Sequence, residues 1–158
     1  MPIAFGTAYE CLFTAGHLAE GQTVLIHAGA GGVGMAAIQL AKRAGATVIS
    51  TASSDEKLER LAAFGLDHGI NYAAESFVES VNQLTGSQGV DIVIDSIGGQ
   101  NLVDSVGVLA YRGRLVSVGT AARPAQRSRR GRSGPATTRC TASSLAPRSW
   151  PSTPASIR

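Results

Sequence analysis

Apolar residues in this chain come in short uninterrupted runs separated by stretches with helical spacing. Thr23-Val24-Leu25-Ile26-His27-Ala28 carries no formal charge, as a strand buried on both faces would. Met35 to Arg43 follows as a helix, with Ala37, Leu40 and Ala41 on one face, basic residues in its last turn and Gly45 beyond it as a cap. Thr47 to Thr51 reads as a second strand. Ser53-x-x-Glu56 reads as a capping box opening a helix through Leu58, Leu61 and Ala62, closed near Gly65. Gly69 to Tyr72 is a third strand, Phe77 to Leu84 a helix, Val90 to Asp95 a fourth strand, Leu102 to Leu109 a helix and Arg114 to Val118 a fifth strand. Strand and helix alternating in this way predict an α/β fold, a Rossmann-type doubly wound parallel sheet of about five strands in the order 3-2-1-4-5.

Composition divides the chain. The net charge of +3 hides two unlike parts: residues 1–120 hold six cations against eleven acids, whereas residues 121–158 hold eight arginines and no acid. Five of the six prolines also lie in that last segment, whose large apolar residues are Leu145, Trp150 and Ile157. The expected organisation is a linker helix over 1–22, a dinucleotide-binding domain over 23–120 and a disordered basic tail over 121–158. No run approaches the 18 apolar residues of a membrane span, and the N-terminus lacks a basic n-region and an A-x-A-like cleavage site, so a cytoplasmic protein is expected. Cys11 and Cys140 are too few and too distant for a disulfide framework, and Cys11 reads as a buried hydrophobe. His17, His27 and His68 are scattered, so no metal site is expected, and His27 reads as a core or backbone-bonded histidine. Asp91 and Asp95 share a strand at even spacing and read as strand-end residues, with Asp95 near the ligand edge.

Chemistry concentrates between the first strand and the first α/β helix. Gly29-x-Gly31-x-x-Gly34 places a tight turn, a backbone that a pyrophosphate can approach and a close helix packing in one loop. The N–H groups of the helix start then face the phosphates. A P-loop needs a lysine after the last glycine, where Met35 stands. A Tyr-x-x-x-Lys pair is absent, because Tyr9, Tyr72 and Tyr111 are followed four residues later by Phe13, Ser76 and Leu115. Strand two ends Ser50-Thr51-Ala52-Ser53 without the carboxylate that holds ribose hydroxyls in NAD proteins and methyltransferases. That absence suits a 2′-phosphate, for which Ser53 and Lys57 are candidate partners; equally, Ser53 can be a helix cap and Lys57 a solvated charge.

The stretch GTAYECLFTAGHLAEGQTVLIHAGAGGVGMAAIQLAKRAGA, with FGLDHGINY, GVDIVIDSIGG and GRLVSVG after it, resembles the cofactor domain of the medium-chain dehydrogenase/reductases, in their zinc-independent quinone oxidoreductase (zeta-crystallin-like) branch. The resemblance covers roughly residues 4–120. It implies an oxidoreductase that moves hydride from NADPH to a quinone or another electron-poor alkene or carbonyl. It implies that Gly31, Gly32 and Val33, within the loop Gly29 to Gly34, bind the pyrophosphate. Ser53, Lys57 and Tyr72 would surround the 2′-phosphate and adenosine, and Ser96, Gly99, Val118 and Gly119 would face the ribose and nicotinamide. No catalytic residue is singled out. The family begins with a GroES-like catalytic domain and continues past Gly119 with further strand and helix, so this chain is expected to be a fragment whose tail is read out of frame, with strand five as an unfinished edge. The expected partners are a small-molecule substrate in the intact enzyme and a second copy in a homodimer, with neither membrane nor nucleic acid. The alternative is a non-enzymatic nucleotide-binding or nucleic-acid-associated protein that uses the arginine-rich tail as a binding arm.

Overall fold

The computed structural model describes residues 3–118 together with the backbone of residues 140–144. Helix α1 (Ile3–Tyr9) runs into a π-helical turn, Glu10–Ala15. Then follow β1 (Thr23–Ile26), α2 (Gly32–Arg43), β2 (Thr47–Ala52), α3 (Asp55–Ala62), β3 (His68–Asn71), α4 (Phe77–Leu84), β4 (Val90–Asp95), α5 (Gln100–Val106), β5 (Leu109–Val118) and β6 (Cys140–Ser144). The sheet order is β3-β2-β1-β4-β5-β6. The first five strands are parallel, in the order that the sequence predicts.

Alternating residues of the central strands explain the double winding. Val24, Ile26, Val48, Ile92 and Ile94 point to one face, where Ala8 of α1, Leu12 of the π-helical turn, Ala37, Ile38 and Ala41 of α2 and Leu61 of α3 complete a core. Leu25, Ile49 and Val93 point to the other, against Val81 of α4 and Val108. Each strand therefore needs apolar residues at successive positions, which is the pattern of runs along the chain.

Four differences from the sequence reading have physical causes. Helix α3 begins at Asp55 with Ser54 as its N-cap and no side-chain cap bond, so the Ser53–Glu56 capping box does not form. Helix α5 starts two residues earlier than expected and ends at Val106, because Gly107 and Val108 turn back toward Asp104 and Ser105. Strand β5 starts at Leu109 rather than Arg114. The sequence reading ends a helix at Leu109 and leaves residues 110–113 unassigned, because the pairing with β4 is irregular there: its register shifts between Val90 and Ile92, opposite a left-handed Arg112 (φ 61°). Finally, β5 is not an open edge, because Cys140–Ser144 pairs with it antiparallel, Val118 opposite Cys140. Gly119 and the rest of the arginine-rich tail lie outside the described residues.

Candidate functional site

At the carboxyl end of β1 the backbone turns left-handed at Ala28 (φ 53°), and the Gly31 N–H closes the turn by donating to the Ala28 carbonyl at 2.9 Å. The Gly29 N–H donates to the Thr51 carbonyl at 3.0 Å, pinning the turn to β2. The glycines differ in purpose. A Cβ on Gly29 would overlap Ser50 Oγ and stand 3.0 Å from Leu61 Cδ1, and one on Gly34 would stand 2.6 Å from the Ala28 carbonyl oxygen and 2.7 Å from Gly29 Cα. These two let turn, strand and helix close on one another. Gly31 and Gly32 meet far less, Ala28 O at 3.3 Å and Ala4 Cβ at 3.7 Å respectively, and both are exposed. Their bareness is not demanded by protein packing. Gly31 is the N-cap of α2 and no side chain caps that helix, so the N–H groups of Gly32 and Val33 in its first turn are presented outward with the positive end of the helix dipole.

Beside this turn lies a cleft of about 280 Å³ lined by Ala28, Ala30, Gly31, Ala52, Ser53, Lys57 and Tyr72. Four of the sequence-selected residues thus meet in one place: Gly31, Ser53, Lys57 and Tyr72. Lys57 Nζ donates to Ser53 Oγ at 2.8 Å, and the salt bridges among the described residues, Lys42–Asp67 and Arg60–Glu56, do not involve it. Its charge faces the cleft with a hydroxyl as partner and no carboxylate. Tyr72 is half exposed, its ring open to a ligand. No acid lines the cleft; Asp55 at the start of α3 instead accepts from Asn71 Nδ2 at 3.0 Å. Of the other expected positions, Ser96 donates its hydroxyl to the His27 carbonyl at 3.4 Å, Gly99 is the left-handed N-cap of α5 (φ 66°), and Val118 packs half-buried on the α2 side of the core. All three stand at the carboxyl ends of β4 and β5 but outside this cleft. A larger hollow of about 570 Å³ opens at the opposite, amino ends of the strands, among Thr23, Thr47, His68, Asp91 and Tyr111, and contains none of these residues. Ligands of open parallel sheets bind at the carboxyl ends, which favours the smaller cleft.

Below the turn is a polar cluster with a weaker sequence signal. His27 is buried, as the sequence reading holds, with Nδ1 3.1 Å from Thr51 Oγ1, Nε2 2.9 Å from Ser105 Oγ and its ring edge-on to Phe77 at 4.9 Å. Burial lowers its pKa from 6.5 to about 4, against the opposing pull of the Asp95 charge. Asp95 Oδ1 accepts from the N–H groups of Ile97 (2.7 Å) and Gly98 (3.1 Å) and from Asn101 Nδ2 (3.3 Å), which holds the β4–α5 loop; Oδ2 is buried without a partner. Asp91 Oδ2 accepts from the Thr23 N–H at 2.8 Å, a strand-end role. Among the described residues, no three His, Cys, Asp or Glu side chains gather where a metal ion could be held, and no helix is long and apolar enough to cross a membrane.

Comparison with known proteins places these features. The zinc-binding dehydrogenase family matches residues 32–140. A lovastatin diketide synthase of Aspergillus terreus is 46% identical over 122 residues, which cover 75% of this chain and 5% of the synthase. The CurK enoyl reductase is 40% identical, with a TM-score of 0.71 over 77% of this chain and 36% of that one. A quinone oxidoreductase of Pseudomonas syringae pv. tomato is 36% identical, with a TM-score of 0.70 over 76% and 37% of the two chains. The chain therefore spans a small part of the curated synthases and well under half of these solved reductases.

Proposed function

The chain belongs to the zinc-binding dehydrogenase family, among the medium-chain dehydrogenase/reductases, and from that premise we propose that its glycine turn and adjoining cleft bind NADPH in an enzyme that reduces electron-poor double bonds. The observation that carries this reading is the meeting of Gly31, Ser53, Lys57 and Tyr72 in one cleft with a lysine and no carboxylate. A carboxylate there would hold ribose hydroxyls and repel a 2′-phosphate; a lysine and a hydroxyl attract one. The cleft is at the small end for ligand sites, so it suits the adenosine and 2′-phosphate end of a dinucleotide rather than the whole molecule.

The residues divide the work. Gly31, Gly32 and Val33 would take the pyrophosphate on exposed N–H groups. Lys57 and Ser53 would hold the 2′-phosphate, and the Tyr72 ring would cover the adenosine. Ser96, Gly99 and Val118, farther along the carboxyl edge, would border the ribose and nicotinamide. The bound cofactor supplies the hydride; the protein supplies binding, orientation and exclusion of water. Quinones and enoyl groups are both electron-poor acceptors, and the names of the similar reductases favour that substrate class.

Fluorescence titration with NADPH and NADH tests the reading. The wild-type chain should bind NADPH more tightly, and Lys57→Ala should reduce that preference about tenfold, since a charge-assisted hydrogen bond contributes about 1.5–3 kcal/mol and Lys57 is exposed enough to keep the effect at the low end. Equal affinities for the two cofactors in the wild-type chain would refute it.

A further inference from the structure

The buried cluster beneath the glycine turn has a direction that its distances fix. Ser105 Oγ has one proton and donates it to the Asn101 carbonyl at 2.6 Å. Toward His27 Nε2, 2.9 Å away, it can then only accept, so the imidazole carries its proton on Nε2. Nδ1 of the neutral ring is then an acceptor, and Thr51 Oγ1 at 3.1 Å donates to it. The same Thr51 oxygen accepts from the Ala28 N–H at 3.3 Å. Each donor therefore points the same way, from Ala28 to Thr51, to His27, to Ser105 and to the Asn101 carbonyl.

The relay runs from the glycine turn to the first turn of α5, just after the β4–α5 loop. Ala28 is the left-handed residue that opens the glycine turn. Asn101 lies in α5 and donates through Nδ2 to Asp95 Oδ1, which also holds the N–H groups of Ile97 and Gly98. His27 is also tied by its backbone to β4 and the loop that follows it: its N–H donates to the Ile94 carbonyl at 3.0 Å, and its carbonyl accepts from Ser96 Oγ. We propose that His27 is a positioning residue which, through this one-way relay with Thr51 and Ser105, fixes the spacing between the glycine turn and the β4–α5 loop and so sets cofactor affinity. The proposal rests on the NADPH reading above. His27 is shut off from solvent, and that burial outweighs the pull of the Asp95 charge, so the ring stays neutral, and the relay intact, at physiological pH.

The test uses the full chain labelled with ¹⁵N. Long-range ¹H–¹⁵N spectra of the imidazole at pH 7.5 should show the Nε2–H tautomer. Thr51→Val keeps the shape of the side chain and removes the donor to Nδ1; it should weaken NADPH binding about five- to tenfold. Thr51→Ser restores the hydroxyl and should return affinity to within about twofold of wild type. Urea unfolding of each variant, measured alongside, separates lost stability from lost affinity. An Nδ1–H or doubly protonated ring would overturn the relay. So would Thr51→Val with unchanged NADPH affinity, however much its stability falls, because His27 would then be a structural histidine alone. A wild-type chain that binds no NADPH while showing the Nε2–H ring would overturn the cofactor reading and the purpose given to the relay, leaving its direction standing.

Discussion

Mild acid should destabilise this protein through one residue. In the unfolded chain a histidine takes up its proton near pH 6.5, whereas burial keeps His27 neutral in the fold until about pH 4. Between those values the unfolded state binds more protons, so stability rises with pH across that window and is lost as pH falls from 6.5 toward 4. Linkage over this interval gives a loss of about 2 kcal/mol between pH 7.5 and pH 5, and about 3 kcal/mol once pH 4 is passed. Solvent screening removes little of this, since His27 is 1% exposed. Asp67 also favours the fold, but in a lower window. Desolvation raises its pKa, and hydrogen bonds from Lys42 and the Val48 N–H more than offset that, leaving it below its ordinary 3.8; its contribution is therefore lost only under stronger acid. Urea unfolding followed by far-ultraviolet circular dichroism at pH 7.5, 6 and 5 measures the slope. His27→Gln lacks the titrating group and keeps an N–H donor for Ser105, so its stability should be lower at pH 7.5 but nearly flat with pH, and the gap to wild type should narrow toward pH 5. Parallel slopes for wild type and His27→Gln would refute the reasoning.

Two predictions separate the glycines by purpose. Gly29→Ala should lower stability by about 1–3 kcal/mol, as overpacking does, and Ser50→Ala in the same chain should recover part of that by removing the hydroxyl the new methyl overlaps, read from urea midpoints. Gly31→Val meets little but Ala28 O, so it should keep the circular dichroism spectrum and much of the stability while abolishing NADPH binding; persistent binding in a titration would make the turn a packing device.

Much of the architecture was legible in the chain because its signals are local. Phe77–Leu84 and Val90–Asp95 form with the bounds that periodicity assigns, and the strand order follows from parallel strands joined by helices. The glycine turn was legible too, and Ser53 and Lys57 could be set beside it because the end of β2 lies beside the end of β1, whereas Tyr72, just past β3, came only with the family resemblance. What the sequence left open at Ser53, helix cap or cleft residue, only the fold decided: α3 starts at Asp55, and Ser53 is released to Lys57. Likewise β5 begins through an irregular pairing at Leu109, and β6 joins it from residues that read as featureless. The partnership of His27 with Ser105 spans 78 positions and that of Gly29 with Ser50 spans 21, distances over which no periodicity carries information. Local spacing determines which elements form, because helices and strands are set by neighbours in sequence; which hydroxyl meets which imidazole is decided only when packing brings separate elements within hydrogen-bond reach.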